Sequence, residues 1–449
     1  MTPSRHSDRA GGLPAQQLAV FWFRRDLRLE DNHGLWHALK CGLSVLPLFI
    51  FDTRILSKLS DKHDKRVQFI HTALAGIQKK LDRTNARLEI RHGDPRRVWE
   101  KLLHDFRIKS AYWNHDYEPD ARDRDTVVTR LLESRGITLH KFKDQVIFET
   151  DEIVKKDGKP YAVFTPYRNA WRKQFQPAML RPNRSQDFLH HFLKREKRPL
   201  PPLERFGFVR TQTRYPGKTI PTHIIKNYHL TRDYPAMRGT TRLGIHLRFG
   251  TLSVRQVCRA GFRLNRKWFD ELIWREFFTT ILYHFPRLVS EPFRSRYSSF
   301  PWRDSELDFE RWCSGETGFP LVDAGMRELN GSGLMHNRAR MIAANFLSKI
   351  LLIDWRKGER YFASRLLDYE LTSNNVNWQW AAGCGSDAAP FFRIFNPEIQ
   401  RTKFDPHNRY IKKWIPEYGT SRYPAPMVDQ SAARTRALSV YQSSKQISR

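Results

Sequence analysis

Residues 19–32, AVFWFRRDLRLEDN, pass from an apolar run into a charged loop, and the first third of the chain repeats that kind of apolar run at intervals. VLPLFIF at 45–51, RLEIRH at 87–92 and SAYWNHD at 110–116 follow, separated by amphipathic patterns near 64–83, 95–106 and 121–135 that predict helices. Strand-like runs alternating with helices imply a parallel sheet with crossover connections, so residues 18–148 are expected to form an α/β domain of Rossmann-like type. No GxGxxG follows the first run, which removes a dinucleotide fingerprint, and the loop RRDLRLEDN stands in its place. Asp31 and Asn32 read most simply as caps of the next helix.

Outward from that domain the character changes. Residues 149–218 are basic and repeatedly broken by proline, and read as an irregular linker. From 219 to 418 the apolar spacing is helical throughout, as in NRKWFDELIWREFFTTILYHF and HNRARMIAANFLSKILLI, so this part is expected to be all-α. Residues 1–17 read as a disordered tail and 419–449 as a polar C-terminal tail.

Lys and Arg number 78 against 47 Asp and Glu, a formal charge of +31, which favours an anionic partner and most simply nucleic acid. Cys41, Cys258, Cys313 and Cys384 lie too far apart for a disulfide framework or a metal cluster, so no metal is expected and a reduced cytoplasm fits best. No apolar run is long enough to span a bilayer, and a signal core is absent from the first residues.

Three stretches concentrate chemistry. DYELTSNNVNWQWAAGCGSDAAPFFRIFNP (368–397) holds an acidic pair, two adjacent asparagines and two tryptophans two residues apart, which a helix would point in different directions. In the second, Glu271, Trp274 and Arg275 fall at i, i+3 and i+4, so one helix face presents a carboxylate, an indole and a guanidinium. The third, GLMHNRARM at 333–341, puts Asn337 and Met341 on one face with Arg338 adjoining and Arg340 to the side.

Together with RRDLRLEDN and LIWREFF (272–278), these stretches resemble the photolyase/cryptochrome family from about Leu18 to Tyr418, most nearly its bacterial class I members that repair cyclobutane pyrimidine dimers. The resemblance implies an N-terminal antenna-binding α/β domain joined by a long linker to a helical FAD- and DNA-binding domain. It further implies electron transfer from light-excited, fully reduced anionic FAD to a dimer flipped out of UV-damaged DNA. The implied FAD contacts are Tyr228, Thr240, Thr241 and Arg242 on the phosphate side, and Arg275, Arg340, Asp368, Glu370 and Asn374 near the flavin ring, with Arg340 paired to Asp368. Glu271, Trp274, Asn337, Arg338, Met341 and Trp380 are implied to hold the dimer. Arg232, with Arg393 and Lys403, would meet DNA phosphates. Trp302, Trp355 and Trp378 match an electron-transfer series that photoreduces the flavin.

A second, light-harvesting chromophore is expected in the N-terminal domain. Glu118 matches a folate-antenna position, and methenyltetrahydrofolate, a deazaflavin or no antenna all stay open. Where bacterial members commonly carry Asp-Gly-Asp, this chain has Asp368-Tyr369-Glu370. A monomer, cytoplasmic and nucleoid-associated, is expected. The alternatives are a cryptochrome photoreceptor, opposed by Asn374, Trp380 and the short C-terminal extension, and a (6-4) photoproduct photolyase. The latter would call for two adjacent histidines in the 333–341 motif, which holds only His336.

Overall fold

The computed structural model describes residues 16–388 and 390–446, so all but the last two residues of the tail read at 1–17 lie outside the described residues. The chain divides into two compact units.

The first unit takes in residues up to 116, 120–145 and 182–213. Its strands β1 (Leu18–Phe23), β2 (Ser44–Asp52), β3 (Glu89–Gly93), β4 (Ile108–Asn114) and β5 (Thr138–Phe142) form one sheet in the order β3-β2-β1-β4-β5. Every pairing is parallel, with Leu18 opposite Ser44 and Phe23 opposite Phe49 between β1 and β2. All six residues of β1 are buried, which is why that strand shows a continuous apolar run and no alternation. The helices are α1 (His33–Leu39), α2 (Thr53–Leu56), α3 (Lys65–Leu81), α4 (Pro95–Asp105) and α5 (Pro119–Glu133). Trp22, Trp99 and Trp113 pack edge to face and tilted in the core, with ring centroids 5.7, 5.8 and 6.5 Å apart. Asn32 caps α1 by accepting from Leu35 N, as expected.

The second unit takes in 117–119, 146–181 and 214 onward. It is helical: α6 (Phe164–Gln174), α7 (Thr222–Thr231), α8 (Gly244–Arg248), α9 (Val254–Leu264), α10 (Arg266–His284), α11 (Glu306–Ser314), α12 (Pro320–Ser332), α13 (Asn337–Asn345), α14 (Trp355–Arg365), α15 (Leu371–Ala382), α16 (Pro397–Phe404), α17 (Arg409–Trp414) and α18 (Gln430–Gln446). One core gathers around α12 to α15, and another around α9 and α10.

Two segments differ from their sequence reading. The stretch 149–218 is shared between the units rather than running as one irregular linker. Inside it Phe164, Tyr167 and Trp171 recur at helical spacing and are buried, an apolar stripe hidden among basic residues. The C-terminal stretch 419–449 contains α18, whose Ala433, Ala437 and Tyr441 are buried at i, i+4 and i+8, with the Tyr441 hydroxyl donating to Ala382 O at 2.6 Å. Small residues on the buried face made that helix look polar.

Candidate cofactor and dimer site

Helix α15 carries the densest part of the site because its i, i+4 pair Asn374 and Trp378 faces α14, while Trp380 turns to another side. The approach of α14 depends on Gly358: a Cβ there would overlap the Trp378 ring and lie 2.5 Å from Leu347. Trp378 also packs on Phe362, with centroids 4.9 Å apart, and edge-on to Trp312 at 6.0 Å. Asn374 donates from Nδ2 to Glu359 Oε1 at 2.9 Å.

A cleft opens against these helices. Its walls include eight residues expected at the site: Asn337, Arg340, Met341, Asp368, Glu370, Asn374, Trp378 and Trp380. Phe362, Leu366, Tyr369, Ser373 and Asn377 complete much of the rest. Two ion pairs organise the wall. Arg340 Nη2 meets both oxygens of Asp368 at 3.0 and 3.1 Å, the pairing the resemblance implied. Arg275 reaches in from α10 and binds Glu370 through Nε at 3.0 Å and Nη2 at 2.7 Å, a bidentate fork. The longer Glu370 side chain is therefore used to meet a guanidinium from another helix. Gly244, at the end of GTTRLG, lies so close that a Cβ would sit 2.7 Å from Asp368 Oδ2, which ties that segment to the cleft.

The remaining expected residues lie on neighbouring surfaces. Glu271 pairs with Arg232, and the Arg232 guanidinium lies 5.1 Å from the Tyr228 ring. Burial pushes the Glu271 carboxyl up and Arg232 pulls it back. Arg338 donates to Asp233 at 2.5 Å and lies over the Phe404 ring at 4.0 Å. Asn337 points Nδ2 at Met341 Sδ, 3.7 Å away, consistent with their shared face. Arg242 has φ 53° and approaches Glu328 at 3.7 Å; Thr240 and Thr241 precede it just before α8. Trp274 is not on the cleft wall, and one of its faces is covered by Phe164 at a centroid distance of 3.4 Å and 9°. Trp355 is buried, whereas Trp302 is half-buried beside Phe300 at 4.3 Å.

Glu118, expected at an antenna, is engaged elsewhere: it accepts from Arg248 at 2.8 and 3.3 Å and from Leu371 N at 3.2 Å, at the start of α15. Sequence reading missed Glu359 as part of the site, and marked Tyr369 only as a departure from the family pattern. The available signal was spacing, since Glu359 follows Trp355 by one helical turn. Among the described residues no group of three or more His, Cys, Asp or Glu could hold a metal, and no helix is long and apolar enough to cross a membrane.

The family model described as DNA photolyase matches residues 19–186, and that described as FAD binding domain of DNA photolyase matches 268–422. A deoxyribodipyrimidine photo-lyase of Synechococcus sp. is 36% identical, covering 94% of this chain and 96% of its own. The crystal structure of a bacterial class III photolyase from Agrobacterium tumefaciens superposes with a TM-score of 0.85 at 32% identity, over 98% of this chain and all of that one. An archaeal photolyase from Sulfolobus tokodaii, solved with two FAD molecules, superposes at 0.78 with 31% identity, over 95% of this chain and 100% of its own. The cleft fits FAD: it offers aromatic and amide surface for a planar ring and paired charges at its wall. The chain belongs to the DNA photolyase family, FAD-dependent lyases that act on pyrimidine dimers in DNA.

Proposed function

We propose that this chain repairs cyclobutane pyrimidine dimers in DNA under light, with the cleft against α13, α14 and α15 as its cofactor and dimer site. The observation that carries this reading is the convergence of eight expected residues from separate stretches on one cleft wall. Bound FAD supplies the light absorption and one-electron chemistry that side chains lack. Arg340 and Arg275, each held by a carboxylate, give the flavin end a fixed positive edge without leaving free buried charge. Tyr228, Thr240, Thr241 and Arg242 take the phosphate side. Asn337, Arg338, Met341 and Trp380 flank the flipped dimer, and Glu271 accepts hydrogen bonds from its base edge; Trp274 contributes from its uncovered face. Trp378, Trp355 and Trp302 relay electrons inward from the surface. Arg232, Arg393 and Lys403 contact phosphates, and the net charge of +31 makes binding fall steeply with salt. The protein acts as a monomer in the cytoplasm, at the nucleoid. A second chromophore in the N-terminal unit, folate or deazaflavin, would extend light capture.

The direct test is loss of thymine dimers from a defined oligonucleotide under blue light, with a dark control and the absorption spectrum recorded first. Light-dependent loss with a flavin spectrum supports the proposal; a flavin spectrum without repair, even after chemical reduction, overturns it. Measured in the dark as affinity for the dimer-containing oligonucleotide, Glu271→Ala weakens binding by about 1.5–3 kcal/mol, the worth of one hydrogen bond to a charged group, while FAD content holds. Loss of FAD instead would move Glu271 to the cofactor. Trp302→Phe blocks photoreduction of oxidised enzyme but leaves repair by chemically reduced enzyme intact; unchanged photoreduction would remove Trp302 from the relay.

A further inference from the structure

Behind the cleft wall lies a carboxylate with few neighbours able to neutralise it. Glu359 is 8% exposed, and among the described residues its carboxylate accepts from Asn374 Nδ2 at 2.9 Å and from the Tyr369 hydroxyl, which donates to Oε1 over a long 3.3 Å. Asn374 Nδ2 also reaches Glu359 O at 3.3 Å. Both amide hydrogens of Asn374 are thereby drawn toward α14. Its carbonyl oxygen has no protein partner among the described residues, although Asn374 lines the cleft. Burial pushes the Glu359 carboxyl up, and the donors Asn374 and Tyr369 bring it back toward the charged form. Tyr369 itself lines the cleft, beside Asp368 and Glu370.

We infer that Tyr369 is a positioning residue of the cofactor site, holding Glu359 so that this carboxylate locks Asn374 with its carbonyl oxygen toward the cleft. This rests on reading the cleft as the FAD site. An amide whose hydrogens are committed to a carboxylate presents only an acceptor to the ligand, and turning it round would strand that carboxylate. The central ring of FAD carries a hydrogen at its inner nitrogen only when reduced. A fixed acceptor there favours reduced over oxidised cofactor, the form on which dimer splitting depends. The hydroxyl is needed because, among the described residues, Glu359 has no ion-pair partner to fix it.

The test compares wild type with Tyr369→Phe, which keeps the ring and removes only the hydroxyl. FAD content, the midpoint potential of bound FAD and the rate of dark oxidation in air are measured on the purified holoenzyme. FAD content is expected to hold, with the potential lowered so that the oxidised-to-reduced ratio at fixed poise rises about threefold, the worth of one weak hydrogen bond. Dark oxidation speeds up in the same sense. Glu359→Gln shifts the potential at least as far, and adding Tyr369→Phe to it produces no further shift, because both act through one contact. An unchanged potential in Tyr369→Phe, or a full extra shift in the double variant, overturns the proposal. Loss of FAD in Tyr369→Phe also overturns it, making the residue wall rather than positioning group. Dimer repair is scored separately: a shifted potential in an enzyme that splits no dimers would sink the functional reading and leave this one standing.

Discussion

Glu276→Ala is expected to lower the unfolding free energy by about 3–5 kcal/mol, among the largest single effects in this chain. Glu276 sits one residue after Arg275 on α10, about 100° round the helix, and is buried against Trp171 of α6. Its carboxylate is buried and accepts from Ile147 N at 2.7 Å, Phe148 N at 3.0 Å and Trp171 Nε1 at 2.6 Å. Removing it leaves three buried donors without an acceptor and a cavity besides. Burial is the main reason that its carboxyl rises to about 7, with the three donors opposing that shift. The folded protein therefore holds a proton between the unfolded value near 4.5 and about 7 that the unfolded chain has released. This group makes the protein more stable as pH falls through that window, the reverse of an ion-paired carboxylate. Denaturant unfolding at pH 5 and pH 8 checks the sign: Glu276→Gln, which cannot titrate, should remove part of the wild-type gain at the lower pH. A variant with the same pH dependence as wild type would show that Glu276 stays ionised throughout.

The second large effect falls on the cleft. Arg275→Met is expected to destabilise the protein by about 3–5 kcal/mol and to abolish FAD retention, because the buried Glu370 carboxylate would lose the guanidinium that binds it bidentately. The side chains of Arg275 and Glu370 are only 13% and 8% exposed, and Ser373 Oγ, 3.1 Å away, is a weak substitute. Replacing both residues, as Arg275→Met with Glu370→Met, should recover most of the stability, since an apolar pair of similar volume meets no desolvation penalty. FAD should not return, because the positive edge is gone. Unfolding curves and the FAD-to-protein absorbance ratio separate the two losses. A double variant as unstable as the single one would mean that the pair is valued for packing rather than charge.

The parallel sheet was legible because its central strands are built on apolar runs, unbroken in β1, and the three predicted helices between them lie within about two residues of their observed limits. β5 escaped notice since TLHKF at the sheet edge has no buried residue and reads as loop. The site was legible where residues at helical spacing carry unlike chemistry, as in Glu271, Trp274 and Arg275. Spacing within one helix says nothing of the partner across a cleft, so the fork between Arg275 and Glu370 could not be read, nor the hold of Tyr369 on Glu359. The capture of Glu118 by Arg248 and Leu371 N shows the same limit: a matched position was visible, its occupied hydrogen bonds were not.

The bare α-carbon of Gly358 has a meaning beyond close packing. Trp378 lies directly on it, with Leu347, Phe362 and Trp312 around the ring, so the indole has no room to turn or drift. A group that passes an electron must pay in nuclear motion whenever its surroundings rearrange to suit its new charge. An indole clamped between a helix backbone and rigid rings, shut away from water, rearranges very little. In a relay through Trp378, Gly358 would therefore govern reorganisation energy as well as distance, and a single added methyl group would raise the one while lengthening the other.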